Sequence, residues 1–231
     1  FYEKIMLVLF EGNDGCGKSS TAKIFAEWLE KEFQEIPVQQ LYEPGSGSLG
    51  PTLREILKHS SQPIVPAAEL FLFLASRAQL MKQGIISAIQ AGEIVVLDRS
   101  TLSSLAYQVA GCGLDPTLAL PAIELATCGV VPDITFVLKA SPEVVRMRNP
   151  NKQPDRIEAR GEEFHARVSR GFECFADLLK HRAERPWKIH AIDTDELTRP
   201  QVLERVKHHF EKDGLVEKLR SRLRAAHGDI G

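Results

Sequence analysis

Residues Gly12 to Ser19 read GNDGCGKS, a full match to the pattern GxxxxGK[ST], and the apolar run from Ile5 to Phe10 stands shortly before them. Such a run indicates a buried strand, and the residues after Ser19 favour a helix. The glycines let backbone N–H groups point inward around phosphate oxygens, and the positive end of the helix dipole adds to the attraction. We therefore expect this loop to bind a nucleoside triphosphate.

Nine residues of this loop and the first helical turn are expected to contact the triphosphate. Lys18 is expected to reach the β- and γ-phosphates, and the Ser19 hydroxyl is expected to hold Mg²⁺. The nine residues are Gly12, Asn13, Asp14, Gly15, Cys16, Gly17, Lys18, Ser19 and Ser20.

Length and composition restrict the class of protein. The chain has 231 residues, of which 43% are hydrophobic, so one α/β domain with a sizeable core is expected. A net charge of −2 without a basic stripe argues against a nucleic-acid polymer or an anionic membrane as partner. The four cysteines form no CxxC pair, which disfavours a zinc site or a disulfide framework and fits the reducing cytoplasm. Neither a membrane-spanning run nor a signal peptide is recognised, so no membrane partner is expected.

Short apolar runs alternate with helical patterns, which predicts a parallel sheet of five strands with helices on both faces. The predicted strands are 5–11, 37–42, 93–98, 133–139 and 187–193, and the predicted helices include 18–33, 67–91 and 198–226, the last with a break at Asp213-Gly214. Residues 148–160 have no apolar stripe and contain two prolines, so we expect a mobile loop, called here the lid segment. Residues 1–210 are expected to form one domain that includes the lid segment, and residues 211–231 a C-terminal helical extension.

Two residue pairs are candidates for substrate contacts. Asp98 and Arg99 end a predicted strand, and ligands of parallel sheets gather at the carboxyl ends of the strands. Asp98 suits the hydration shell of Mg²⁺, and the planar fork of Arg99 suits a phosphate. Phe73 and Arg77 lie one helical turn apart, so a stacking ring and a hydrogen-bonding guanidinium are expected to meet one nucleobase.

Five blocks in this order resemble the thymidylate kinase family. They are EGNDGCGKS at 11–19, EPGSGSLG at 43–50, FLASRAQ at 73–79, DRSTLSSLAYQ at 98–108 and DRIE at 155–158. The resemblance covers about residues 4 to 210. It implies a P-loop kinase of five-stranded parallel fold that moves the γ-phosphate of ATP to dTMP, with Mg²⁺, in a homodimer.

The resemblance also implies roles for particular residues. Asp14 would touch the sugar 3′-hydroxyl and the Mg²⁺ region, with Ser19 and Asp98 as the metal residues. The acceptor nucleotide would be bound by Asp14, Arg54, Phe73, Arg77, Arg99, Ser104 and Tyr107, with Arg54 and Arg99 on its phosphate, Ser104 beside the base and Tyr107 under the sugar.

Catalysis is expected to depend on charge supplied by several elements. No variable position of the phosphate loop is basic, so a further cation must come from elsewhere, and the lid segment offers Arg148, Lys152, Arg156 and Arg160. We expect Arg148 or Lys152 in that role; Lys152 falls where bacterial relatives usually place an arginine. The complete set of expected catalytic residues is Lys18, Arg99, Arg148, Lys152 and Asp14.

The chain departs from the family pattern at two arginines. Tyr42 stands where an arginine usually precedes the Glu-Pro-Gly run, and Leu114 stands where another arginine is usual, so phosphate contacts are expected to be lost. Two alternative functions stay open: a kinase for another deoxynucleoside monophosphate, and a regulatory P-loop NTPase. The sequence does not support the regulatory NTPase, because the guanine-reading motif NKxD is incomplete. Its aspartate is missing from Asn151-Lys152-Gln153-Pro154.

Overall fold

The computed structural model describes residues 6–151 and 153–228, and its centre is a parallel sheet of five strands. The strands are β1 (Met6–Gly12), β2 (Val38–Tyr42), β3 (Ile94–Asp98), β4 (Ile134–Lys139) and β5 (Ile189–Asp193). Their order across the sheet is β2-β3-β1-β4-β5. The predicted fold class and all five predicted strands are confirmed.

Helices cover both faces of the sheet. They are α1 (Lys18–Glu32), α2 (Gly50–His59), α3 (Pro66–Leu80), α4 (Ile86–Gln90), α5 (Thr101–Ser104), α6 (Pro116–Ala126), α7 (Pro142–Arg148), α8 (Glu162–Lys180), α9 (Arg199–Lys212) and α10 (Leu215–Gly228). Two π-helical segments, Met81–Ile85 and Leu105–Gly111, continue α3 and α5. The helix expected over 67–91 is therefore a helix with a wider turn in its middle.

Side chains along β1 point alternately to the two faces of the sheet, so the core is divided into two clusters. Met6, Val8 and Phe10 pack with α1, α9 and α10, whereas Leu7 and Leu9 pack with the helices of the opposite face. A strand buried on both sides reads as a continuous apolar run, as the sequence before the phosphate loop does.

The C-terminal region packs on the face that α1 covers. α9 and α10 meet at the break expected at Asp213-Gly214, and Gly214 has a φ of 78°. Leu215 and Leu219 of α10 are buried in the same cluster as Phe25 and Phe210. The last helix thus shares the core of the sheet.

Strand register brings three chain segments together at one edge of the sheet. Phe10 of β1 pairs with Asp98 of β3, and Asp98 pairs with Tyr42 of β2. The residues that follow these strands, the phosphate loop, Arg99 and Glu43, consequently lie side by side. This is the carboxyl edge, where parallel sheets bind ligands.

The second π-helical segment lies against α8 at close range. A Cβ added at Gly171 of α8 would lie 2.6 Å from the Cβ of Ala110 and 3.0 Å from the Cα of Ala106. Glycine at this position therefore allows the two helices to touch backbone to backbone. The contact holds Tyr107 and Gln108 of the π-helical segment in place, and π-helical turns often occur at functional sites.

Candidate active site

The phosphate loop connects β1 to α1, as the sequence predicts. Gly12 has a φ of 137°, and a Cβ added there would lie 2.1 Å from the carbonyl oxygen of Leu138 in the neighbouring strand. Gly17, at the N-cap of α1, has a φ of 95°. Both positions need the conformational freedom of glycine, and together they aim the loop and the N-terminus of α1 at the same space.

The side chain of Lys18 folds back over this loop. Its Nζ donates to the carbonyl oxygen of Asn13 at 3.1 Å and lies 3.8 Å from Oδ1 of Asp14. The residue is only 5% exposed, so its charge is directed into the loop rather than into solvent. An anion held by the loop would therefore meet a partly desolvated ammonium group.

Ser19 and Asp98 are brought into direct contact. The Ser19 hydroxyl donates to Oδ2 of Asp98 at 2.5 Å, while the buried Oδ1 of Asp98 has no hydrogen-bond partner among the described residues. An unpaired carboxylate oxygen beside a hydroxyl suits Mg²⁺, which uses few protein oxygens and keeps waters and phosphates as its other ligands. Within residues 6–151 and 153–228, no group of three or more His, Cys, Asp or Glu side chains forms a metal cage, so a metal here would need the nucleotide.

Arg99, Asp14 and Tyr107 form the charged centre of the site. Nη2 of Arg99 lies 2.5 Å from Oδ1 of Asp14, and the hydroxyl of Tyr107 donates to Oδ2 of Asp14 at 2.7 Å. The guanidinium carbon of Arg99 lies 5.2 Å from the centre of the Tyr107 ring. Arg99 itself has a φ of 70°, an unusual backbone conformation for a residue with a Cβ.

The protonation states in this centre follow from its contacts. Burial by itself would raise the pKa of Asp14, but Arg99, Lys18 and the hydrogen bond from Tyr107 outweigh it and hold that pKa far below its usual range. Burial and the negative charge of Asp14 raise the pKa of Tyr107. At neutral pH Asp14 is therefore an anion and Tyr107 is a neutral donor.

Glu11 supports this centre from below, and the sequence analysis assigned it no role. The residue is fully buried; its Oε1 accepts hydrogen bonds from the backbone N–H groups of Ser100 at 2.9 Å and Ser103 at 3.2 Å. Burial raises its pKa. Glu11 thus fixes the turn that carries Arg99, and the only sequence signal was an acidic residue at the end of an otherwise apolar strand.

A cavity, called here the Phe73 cavity, opens between this centre and α3. Among the residues expected to bind the acceptor, it is lined by Asp14, Phe73, Arg77, Arg99, Ser104 and Tyr107. Lys58, Gln108 and Asp155 also line it. Phe73 is partly buried and packs on the core, which leaves part of its ring free for a ligand. Phe73 and Arg77, predicted to face one ligand, both line this cavity.

Arg77 is held rigidly at the wall of the Phe73 cavity. Its Nε donates to Oε2 of Glu43 at 2.7 Å, and both side chains are almost fully buried. Its buried Nη1 has no hydrogen-bond partner among the described residues. A buried guanidinium with an unused donor is a site at which a ligand acceptor atom would gain free energy.

Arg54 does not line the Phe73 cavity. Its Nη1 donates to the carbonyl oxygen of Pro44 at 2.7 Å, and its guanidinium carbon lies 5.6 Å from the centre of the Tyr42 ring. Arg54 therefore touches the cavity wall only indirectly, through its hydrogen bond to Pro44, which lines the cavity. Tyr42 at the usual arginine position is 46% exposed and brings no charge.

A second cavity, the Arg148 cavity, of about 310 Å³ lies beside the phosphate loop. It is lined by loop and α1 residues, including Gly15, Lys18, Ser19 and Ser20, and by Arg148, Thr194 and Arg199. Nη1 of Arg148 donates to the Thr194 hydroxyl at 3.0 Å, and Nη2 donates to the Thr194 carbonyl oxygen. Thr194, just after β5, and Arg199, the first residue of α9, carry no sequence signal for this role, because both lie about 180 positions from the phosphate loop.

The loop expected over 148–160 begins one residue later, because Arg148 is the last residue of α7. Residues 149–151 and 153–160 contain only turns and irregular backbone. Lys152, one of the two expected lid cations, lies outside the described residues. A third cavity of about 620 Å³, the lid cavity, separates Asp14 and Gly15 from Pro154 and Glu158 of this segment.

Glu69 anchors the C-terminal part of the lid segment, and the sequence analysis missed it. Its fully buried Oε2 accepts from Nη2 of Arg156 at 2.6 Å and of Arg160 at 2.5 Å, and its Oε1 accepts from Nε2 of Gln108 at 3.1 Å. The sequence signal for Glu69 was an acidic residue within the apolar face of α3, one helical turn before Phe73. Arg156 and Arg160, two of the four basic residues at 148–160, are therefore used for anchoring.

Comparison with known proteins places these features in one family. The model of the family described as thymidylate kinase matches residues 10–194. A thymidylate kinase of Gloeobacter violaceus is 37% identical over 191 residues, which cover 81% of this chain and 86% of that protein. One of Pelodictyon phaeoclathratiforme is 36% identical over 215 residues, covering 89% and 97%. The crystal structure of thymidylate kinase from Ehrlichia chaffeensis superimposes with a TM-score of 0.68 at 28% identity and covers 87% of this chain and 98% of its own.

Proposed function

The chain belongs to the thymidylate kinase family and is an ATP-dependent phosphotransferase, and we propose that it phosphorylates dTMP to dTDP with the residues gathered around Asp14. One observation carries the assignment of the sites: Lys18 and Arg99 both lie against Asp14, at 3.8 Å and 2.5 Å. Lys18 lines the Arg148 cavity and Arg99 lines the Phe73 cavity. A donor in the first cavity and an acceptor in the second would therefore bring their phosphates together at this point.

The Phe73 cavity would take the acceptor nucleotide. Phe73 would stack on the thymine base, and the unused Nη1 of Arg77 would donate to an acceptor atom at the edge of the base. Ser104 is buried beside them, and the ring of Tyr107 would lie under the sugar. Asp14 would accept a hydrogen bond from the 3′-hydroxyl.

Phosphoryl transfer requires alignment and charge stabilisation more than covalent chemistry. An oxygen of the acceptor phosphate attacks the γ-phosphorus of ATP, and the bond to the bridging oxygen of ADP breaks. That attacking oxygen carries no proton at neutral pH, so no general base is needed. Lys18 would neutralise charge on the donor side and Arg99 on the acceptor side, and the ionised Asp14 keeps both cations aligned.

Ser19 and Asp98 would hold Mg²⁺ with the donor phosphates. The unpaired Oδ1 of Asp98 and the Ser19 hydroxyl supply the oxygen atoms that this ion prefers. When bound, Mg²⁺ neutralises charge on the β- and γ-phosphate oxygens.

The lid segment would close over the lid cavity and exclude water, which competes for the γ-phosphate. Glu69 holds the C-terminal part of the segment, so the part between Arg148 and Asp155 would make this movement. Arg148 would supply charge to the donor from its position on Thr194. Lys152, which lies outside the described residues, is the second proposed cation.

A homodimer is proposed as the working assembly. Leu118 and Leu125, two turns apart on α6, are 76% and 81% exposed, and Phe71 on α3, which packs against α6, is 62% exposed. Clustered large apolar side chains of this kind mark interaction surfaces. Light scattering of the protein in solution measures the assembly directly.

The proposed location is the cytoplasm. Cys16, Cys112, Cys128 and Cys174 are all free thiols, as a reducing compartment requires. Of the helices in the described part of the chain, none has the length and apolar character needed to span a membrane.

The proposed reaction is tested by incubating the protein with ATP and Mg²⁺ and each of dTMP, dUMP, dCMP, dGMP and GMP. We expect dTDP formation to have the highest kcat/KM, and ATP consumption without an acceptor to be slow in comparison. A higher kcat/KM with dCMP or GMP would reject the thymidylate assignment. Hydrolysis of ATP or GTP at the same rate without an acceptor would instead favour a regulatory NTPase.

Replacing Phe73 by alanine is expected to weaken dTMP binding by about 1–3 kcal/mol, the contribution of one base–aromatic stack. ATP affinity should stay within twofold, because Phe73 does not line the Arg148 cavity. Isothermal titration with each nucleotide measures both constants. A variant that loses equal affinity for both nucleotides, together with thermal stability, would show that the ring serves only the core.

A further inference from the structure

Lys58, near the end of α2, lines the Phe73 cavity together with Asp14 and Arg99. The usual arginine before the Glu-Pro-Gly run is replaced by Tyr42. Arg54 does not line the cavity, and its guanidinium donates to the carbonyl oxygen of Pro44. The acceptor cavity therefore lacks cations at positions where the family pattern places them. Lys58 supplies a positive charge on the same wall.

The charge of Lys58 acts on the Asp14 side of the cavity. Burial raises the pKa of Asp14, and Lys58 helps Arg99, Lys18 and Tyr107 to lower it, with the smallest effect of the four. Arg77 and Phe73, which belong to the base end, are not its partners. Lys58 is thus placed to interact with an anion that also contacts Arg99.

The present partner of Lys58 is Asp155 of the lid segment. Nζ of Lys58 lies 2.6 Å from Oδ2 of Asp155, and the two side chains are 21% and 10% exposed. Asp155 divides its two oxygens between two tasks: Oδ1 accepts from the backbone N–H groups of Ile157 at 2.9 Å and Glu158 at 3.0 Å. Release of Lys58 would therefore leave the turn after Asp155 intact.

A phosphate dianion competes well for such a lysine. It offers three terminal oxygens that share about two negative charges, whereas Asp155 has only Oδ2 left for Lys58. A hydrogen bond between charged groups in a partly buried site is strong. Exchange of one anion for the other costs no new burial of the ammonium group, because it is already partly desolvated against Asp155.

We propose that Lys58 binds the 5′-phosphate of the acceptor nucleotide and exchanges its ion pair with Asp155 for that contact. The proposal rests on the proposed function, since it assigns Lys58 to that same acceptor. It makes Lys58 an acceptor-specific residue that partly replaces the missing family arginines.

The test compares dTMP with thymidine, which lacks the phosphate. For Lys58→Met we expect dTMP affinity, measured by titration calorimetry, to fall about 10- to 100-fold, the range of a hydrogen bond to a charged group. Thymidine affinity should stay within twofold of wild type, and Lys58→Arg should restore most of the dTMP affinity. Lys82→Met, which removes an exposed lysine from the turn Met81–Ile85, is the matched control.

A second variant separates phosphate binding from a structural ion pair. Asp155→Asn breaks the pair but keeps an oxygen for the turn, and it should bind dTMP at least as tightly as wild type. Equal weakening of dTMP binding by Asp155→Asn and Lys58→Met, or equal loss of thymidine and dTMP affinity in Lys58→Met, would overturn the proposal. Failure of the wild-type protein to bind dTMP would instead reject the proposed function itself.

Discussion

Replacement of Lys18 by alanine is expected to reduce kcat/KM for dTDP formation at least about 10³-fold. The loss is large because a charged donor in a water-poor site contributes most where charge develops during the reaction. Lys18 is 5% exposed and supplies the only cation among positions 12–19. Steady-state kinetics with ATP, Mg²⁺ and dTMP measure the effect.

The fold should survive this substitution. Asp14 keeps Arg99 at 2.5 Å and the hydrogen bond from Tyr107, so its charge remains compensated when Lys18 is removed. The matched control is Lys23→Ala, which removes an exposed lysine from the same helix and should keep wild-type kinetics. Near-normal turnover in Lys18→Ala, with an unchanged melting temperature, would contradict the proposed donor site.

The second large effect is expected at Arg99. Arg99→Ala should lower kcat/KM for dTMP about 10²- to 10³-fold, because the acceptor phosphate and Asp14 both lose a charged, two-pronged donor. Arg99→Lys keeps the charge but loses the planar fork, so its activity should lie between those of the alanine variant and wild type. All three residues carry a Cβ, so the φ of 70° penalises none of them selectively.

Two further measurements distinguish a catalytic role of Arg99 from a purely stabilising one. Thermal unfolding should show a modest loss in Arg99→Ala, since Asp14 keeps Lys18 at 3.8 Å. ATP affinity should change little in either variant, and Arg205→Ala, at an exposed position of α9, should match wild type throughout. A kcat/KM within tenfold of wild type for Arg99→Ala would remove Arg99 from the acceptor site.

The architecture and the phosphate loop could be predicted from the chain because their signals are local. Periodic apolar runs identify strands and helices over five to fifteen residues, and GNDGCGKS specifies its own backbone through glycines at 12 and 17. Asp98-Arg99 could be placed beside that loop because the carboxyl ends of parallel strands share one edge. Phe73 and Arg77 could be paired because one helical turn separates them.

Partners distant in sequence were decided only by tertiary structure. Glu69 meets Arg156 and Arg160 across 87 and 91 positions, and Lys58 meets Asp155 across 97. Local patterns specify none of these three contacts, because each depends on how α2, α3 and the chain between α7 and α8 pack around the cavity. The same packing holds Arg54 on Pro44 and leaves Lys58 on the cavity wall. Sequence alone thus determined which elements form and where the phosphate loop lies, whereas long-range packing decided which cations line the Phe73 cavity.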